Sequence, residues 1–132
     1  MSGERWQSAA VVCGVVFCAF SAAHLIDEFL WRAPMEFHLL EPVTELLALG
    51  YMLAVVGLLA LAARGRRGGF LGLAIAGGII VVADVLKHGP EVLAHGPWRS
   101  GAVSEALALG LTLSSLLMLV ASILSLRRGG GA

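Results

Sequence analysis

Residues 46–86 read LLALGYMLAVVGLLALAARGRRGGFLGLAIAGGIIVVADVL, which is two apolar runs joined by a basic turn. The runs 46–63 and 69–86 are each close to the length of about 20 residues that an α-helix needs to cross a bilayer. Between them, the arginines and glycines of 64–68 are typical of a tight turn at the membrane surface. The sequence therefore predicts a transmembrane helical hairpin.

Two more apolar segments flank this hairpin. The first is predicted to span 6–31, and the last to span 105–126 after a helix cap at Ser104; Thr44 is the predicted cap of the second span. Of all residues, 58% are hydrophobic and only 14% are charged, whereas soluble domains carry about 25% charged residues. We therefore predict an all-α integral membrane four-helix bundle that forms a single domain over residues 1–132.

Basic residues are distributed unequally between the two sides of the predicted membrane. Six lie at one set of helix ends, namely Arg5, Arg64, Arg66, Arg67, Arg127 and Arg128, and three lie at the other, namely Arg32, Lys87 and Arg99. The positive-inside rule places the six-arginine side, with both termini, in the cytoplasm. We expect a prokaryotic plasma membrane. The net charge of zero argues against nucleic acid as a partner.

The two halves of the chain resemble each other. The segment VTELLALG at 43–50 matches VSEALALG at 103–110, and each half ends in a basic, glycine-rich stretch. Two hairpin repeats, about 6–67 and 68–128, would have the same topology and would be related by a pseudo-two-fold axis along the membrane normal.

Small residues recur at a spacing of four in the third span, at Gly68, Gly72 and Ala76. Such residues allow close helix contact. They predict packing within the bundle or, alternatively, contact with a second copy or a larger membrane complex.

Ionisable residues occur near the outer end of every predicted span. Counting from the cytoplasmic arginine of each span at about 1.5 Å per residue, these groups lie roughly 25 to 33 Å away, at the outer edge of the hydrocarbon layer. They are His24, Asp27, Glu45, Asp84 and Glu105. An ionisable group at this depth is a candidate for function.

The spacing of these residues suggests a metal site. His24 and Asp27 are three positions apart, and Asp84 and His88 are four apart, so each pair shares a helix face. Carboxylates and imidazoles on facing helices bind Zn, Fe or Mn in helix bundles. Acidic residues also outnumber basic ones on the outer side, which favours a cation. We expect an outward-facing pocket for a divalent transition metal or a small cationic ligand, with the candidate ligands His24, Asp27, Glu45, Asp84, His88 and Glu105.

Other interpretations remain open at this point. Glu45 and Glu105 can be first-turn acids that interact with the helix dipole, and Lys87 can neutralise Asp84. The outer segment 87–99, with its two His-Gly-Pro triplets, reads as an exposed loop. The chain could instead be an accessory subunit of a larger complex, or a b-type haem protein with His24 and His88 as axial ligands.

Some functions are disfavoured by the residues that are missing from the sequence. It has no Cys-x-x-Cys motif, no glycine-rich phosphate loop and no charge at the middle of any span. These absences argue against disulfide chemistry, nucleotide binding and export by a carboxylate in the membrane centre. They leave open whether the outer site is catalytic.

Overall fold

The computed structural model describes residues 3–30, 41–93 and 101–128. They form four helices in chain order: α1 (Gly3–Leu30), α2 (Glu41–Ala63), α3 (Arg67–Leu93) and α4 (Ala102–Arg128). Each helix is long and apolar enough to cross a membrane. The predicted all-helical architecture of four helices is confirmed.

Helices α2 and α4 begin earlier than predicted. Helix α2 starts at Glu41, so the predicted cap Thr44 lies inside it. Pro42 is tolerated in the first turn because its missing N–H would have no helical acceptor there. Helix α4 starts at Ala102, and the predicted cap Ser104 instead donates its hydroxyl hydrogen bond across the bundle to Asp27.

Helix α3 extends well beyond the end predicted at Leu86. It continues to Leu93, so the expectation that His88-Gly89-Pro90 belongs to a loop is wrong. Pro90 removes one backbone hydrogen bond from this last part of the helix. Contacts of the Lys87 and His88 side chains with α1 favour the helical conformation in spite of this loss. The second triplet, 95–97, lies outside the described residues.

The predicted basic turn between α2 and α3 is confirmed. The amide of Arg66 donates to the carbonyl of Leu61 at 3.0 Å, and the amide of Gly65 donates to that of Ala62 at 2.9 Å. This pair of bonds is a Schellman motif. Gly65 has a φ of 70°, in the left-handed region that glycine adopts without a steric penalty.

The helices form a ring in which each packs against its neighbours in the chain and α4 closes back onto α1. The α1–α4 contact is the most extensive, whereas α1 and α3 face each other diagonally and touch at few points. Phe17, Val55, Leu73 and Met118 are almost fully buried and form the centre of the core. Outward-facing side chains such as Leu30 and Leu86 are 75% and 73% exposed, as expected for helices in lipid.

Small residues allow close contact within this bundle. A Cβ at Gly69 would lie 2.8 Å from the Leu58 carbonyl oxygen of α2, and one at Gly77 would lie 2.9 Å from the Ser115 carbonyl oxygen of α4. Ala76 is buried in the core as well. A Cβ at Gly68, by contrast, would meet nothing within 4 Å. Gly69, Ala76 and Gly77 therefore serve intramolecular packing.

Candidate metal centre

Three of the six predicted ligands converge inside the bundle. His24 comes from α1, while Asp84 and His88 come from α3, and each residue is only 7% exposed. Each can offer one ligand atom such that all three atoms lie within 4.8 Å of one another. This buried group could hold a metal ion, and we call it the metal centre.

The metal centre lies between α1 and α3, the two helices that face each other diagonally. The imidazole rings of His24 and His88 are in edge-to-face contact, with centroids 5.4 Å apart and planes at 78°. Both residues lie in the halves of α1 and α3 that are remote from the Arg64–Arg66 turn. The metal centre is therefore at the end of the bundle that the charge distribution predicts to be external.

The helical repeat accounts for the meeting of Asp84 and His88. Residues four apart lie on the same face, and Oδ1 of Asp84 is 3.6 Å from Nε2 of His88. Two ligand atoms of one tetrahedral Zn²⁺ ion are about 3.4 Å apart when each bond is 2.0–2.2 Å. The observed separation is close to that value, so only small side-chain rotations are needed for both groups to bind one ion.

A hydroxyl group from α4 orients the carboxylate of the metal centre. Thr112 Oγ1 is within hydrogen-bond distance of Asp84 Oδ2 and lies 3.0 Å from the Ala108 carbonyl oxygen. The hydroxyl has one proton to donate, and a carboxylate is the stronger acceptor. Thr112 can therefore hold Oδ2 while leaving Oδ1 directed toward His88.

The two ring nitrogens of His24 have different surroundings. Nε2 lies 3.8 Å from Oε1 of Glu28, one helical turn away. Nδ1 is buried and has no hydrogen-bond partner among the described residues. A buried nitrogen of this kind is available to a ligand. The Nε2 side, facing a carboxylate, resembles the outer-layer contact that commonly fixes a metal-binding histidine.

Charged neighbours form a second layer around the metal centre. Lys87 of α3 forms a hydrogen-bonded ion pair with Glu28 of α1, which joins the two diagonal helices. The side chain of Glu28 is only 15% exposed, so this ion pair is largely shielded from solvent.

The other three predicted ligands are not part of this group. Asp27 is buried at 9% exposure and accepts a hydrogen bond from Ser104 of α4. Glu45 and Glu105 lie near the starts of α2 and α4, and both are exposed. The structure thus brings together His24, Asp84 and His88, places Asp27 in a separate α1–α4 contact, and leaves the two glutamates at the surface.

A cavity of about 220 Å³ adjoins the metal centre. His24, Asp84 and Lys87 form its polar wall, together with Tyr51 of α2. The Tyr51 hydroxyl is buried and has no hydrogen-bond partner among the described residues. The remaining lining residues are small or apolar: Ser21, Leu25, Ala48, Ile80, Ala83 and Leu111.

Sequence reasoning missed the contributions of Tyr51 and Thr112. Tyr51 is the single polar side chain in the apolar run 46–63, whereas Thr112 is one of five hydroxyl-bearing residues in 106–126. The isolation of Tyr51 was the available signal, because a buried hydroxyl normally requires a hydrogen-bond partner. Nothing in the sequence distinguished Thr112 from the four serines of that run. Comparison with protein-family models, with curated proteins and with solved structures gave no match to this chain.

Proposed function

We propose that this protein binds a divalent transition metal, Zn, Fe or Mn, within the membrane through His24, Asp84 and His88. The observation that carries the proposal is the convergence of three buried ligand atoms within 4.8 Å. Two imidazoles and one carboxylate suit these borderline and hard ions better than Cu(I). Structural zinc sites usually have four protein ligands, whereas three leave a position open for water or another molecule.

The geometry favours a single ion over a haem. The edge-to-face contact between His24 and His88, at 5.4 Å, leaves no room for a porphyrin between the two rings. The adjoining cavity of about 220 Å³ is also too small for a porphyrin. A small organic cation would make less use of convergent lone pairs than a metal would. The remaining rival is an ion pair between Asp84 and a protonated His88, which needs no metal.

We also propose the membrane and orientation that the sequence suggests. The chain would lie in a prokaryotic plasma membrane with cytoplasmic termini, and the metal centre would be near the outer face. The six-to-three distribution of basic residues supports this orientation.

The duplication of one hairpin, 6–67 and 68–128, stays a proposal too. The match of 43–50 with 103–110 supports it, and so does the diagonal placement of α1 and α3, the first helices of the two hairpins. An experimental structure should superpose the hairpins by a two-fold rotation about the membrane normal. Any other relation between them would reduce the sequence match to shared composition.

Metal analysis of the purified protein tests the main proposal. The protein is stripped with a chelator in detergent, reloaded with Zn²⁺, washed and analysed by mass spectrometry for metal per chain. His24→Ala, Asp84→Asn and His88→Ala should each lose most of the metal. Glu45→Gln and Glu105→Gln are the matched controls, because these exposed acids lie at similar predicted depth, and they should retain it.

Two results would contradict the proposal. One is equal metal content in the ligand variants and the wild type. The other is that the wild type and the control variants retain no metal although circular dichroism shows that they are still helical. Either outcome would favour the alternative that the chain is an accessory subunit. In that case the Asp84–His88 contact would be an ion pair that stabilises α3.

A further inference from the structure

We propose that the open position of the metal binds a short-chain carboxylate, a molecule with an anionic oxygen head and a small apolar tail. This inference rests on the proposed metal site and names the class of molecule that the metal would bind. It is derived from the cavity beside the metal centre. Three properties of that cavity support it: its polar wall, its apolar wall and its size.

The polar wall provides groups for an anionic head. His24 and Asp84, two of the three ligands, line the cavity, so a molecule inside it would be adjacent to the bound ion. A divalent ion with one carboxylate and two neutral imidazoles keeps one net positive charge. Lys87 lines the same cavity, but its ammonium group is paired with Glu28 and adds no net charge. The positive charge of the loaded site favours an anion over a neutral or cationic head.

Tyr51 indicates that the head carries oxygen. Its hydroxyl is buried without a hydrogen-bond partner among the described residues, and a buried donor left without an acceptor costs about 1–3 kcal/mol. A carboxylate has two oxygens, so one can bind the metal while the other accepts a hydrogen bond from Tyr51. A halide or a thiol could not satisfy both groups in this way.

The rest of the wall is apolar. Leu25, Ile80 and Leu111 line the cavity from three different helices, with Ala48 and Ala83 between them. Burying a methylene group in such surroundings contributes about 0.8 kcal/mol. A ligand with an apolar tail would therefore bind more tightly than one that is only a head.

The size of the cavity limits the tail. An apolar protein cavity of about 150 Å³ binds benzene, which has six carbon atoms, so a cavity of about 220 Å³ can hold roughly eight to nine non-hydrogen atoms. A carboxylate with a tail of about five carbons matches this number. The cavity is lined by residues of all four helices, and α1 and α2 are the neighbouring helices that pack least extensively. The weak α1–α2 contact therefore offers an apolar ligand a route from the lipid.

The test uses the full-length protein loaded with Co²⁺ in lipid nanodiscs, because the visible absorption of Co²⁺ reports on its ligands. Acetate and hexanoate are titrated at constant ionic strength, with hexylammonium as the control for charge. Hexanoate has four more methylene groups than acetate, so it should bind on the order of 100-fold more tightly. Hexylammonium should leave the spectrum unchanged.

Two variants examine the cavity itself. Ala48→Phe fills the apolar part of the cavity and should leave the cobalt content unchanged. It should reduce the preference for hexanoate over acetate to less than about 10-fold, which means that less than half of the binding free energy from the four methylene groups is retained. Ala54→Phe is the matched control, since Ala54 lies on the exposed face of the same helix, and it should preserve the preference. Tyr51→Phe should weaken acetate and hexanoate by a similar factor, because it removes a contact with the shared head.

The outcomes separate this inference from the proposed function. Normal cobalt binding without preference for hexanoate, or a preference that survives Ala48→Phe, would overturn only the carboxylate proposal. Failure of the wild type to bind cobalt or zinc would overturn the metal site and, with it, this inference.

Discussion

The imidazole rings of His24 and His88 meet edge to face across the diagonal of the bundle, with centroids 5.4 Å apart. Helices α1 and α3 make few other contacts with each other, so these side chains are a main link between them. Because Asp84 lies one turn before His88 on the same face, it is brought into the same group. This relationship is the basis of the metal site proposed above.

Thr112 should act as a positioning residue for the metal. Thr112→Val preserves the side-chain shape but removes the hydroxyl that bonds to Asp84, and loss of an outer-layer partner lowers metal affinity by about 10- to 100-fold. Thr112→Ser retains a hydroxyl and should restore most of the affinity. Competition with a chelator of known affinity measures the effect. Equal affinities for Thr112→Val and the wild type would mean that Asp84 does not need this contact.

The level of His24 and Asp84 along the bundle could be predicted from the sequence, but rotation about the helix axis could not. The constant helical rise placed His24 and Asp84 at similar depth when residues were counted from the basic ends, and they do meet. Glu45 and Glu105 were assigned to the same layer, yet they are exposed. Packing decides which side of a helix faces its neighbours. An almost uniformly apolar helix has little periodic pattern in its sequence from which that side could be predicted.

The end of α3 shows a second limit of sequence reasoning. Gly89 and Pro90 are local signals for a helix end, and they led to the prediction of a loop from Lys87. The contacts of Lys87 with Glu28 and of His88 with His24 exist only after α1 and α3 have packed together. Tertiary contacts of this kind override local preferences and are not visible in a single segment.

Ser104 should affect stability without affecting the metal. Its hydroxyl donates to Asp27 and joins α4 to α1, and a hydrogen bond to a charged group contributes about 1.5–3 kcal/mol. We expect Ser104→Ala to lower the free energy of unfolding by that amount, measured by denaturant titration in mixed micelles. Its zinc content should equal that of the wild type. A loss of zinc would show that Asp27 belongs to the metal site, as the sequence suggested.

Two adjacent glycines at the start of α3 should respond differently to alanine. In Gly69→Ala the new Cβ would lie 2.8 Å from the Leu58 carbonyl oxygen, so α2 and α3 must separate, at a cost of about 1–3 kcal/mol. Gly68 has open space at the same point, and alanine there should be neutral or slightly stabilising because of its higher helix propensity. Thermal unfolding of both variants in detergent measures the difference. Equal melting temperatures would contradict the close α2–α3 contact.

Orientation in the membrane can be measured with reporter fusions. The excess of arginines at one set of helix ends predicts that fusions at Ala132 and near Arg66 report the cytoplasm, while one near Gly96 reports the outside. Replacement of Arg64, Arg66 and Arg67 by asparagine should reduce this bias. An external carboxy terminus in the wild type would place the metal centre on the cytoplasmic side.

X-ray absorption at the zinc edge of the reloaded protein tests the central claim most directly, because it counts the imidazoles bound to the ion. The proposed site predicts two imidazole nitrogens at about 2.0–2.1 Å with additional oxygen ligands, and one imidazole in His88→Ala reloaded at high zinc concentration. A wild-type spectrum that contains only oxygen ligands, or one that is identical in His88→Ala, would contradict a metal site built from His24, Asp84 and His88.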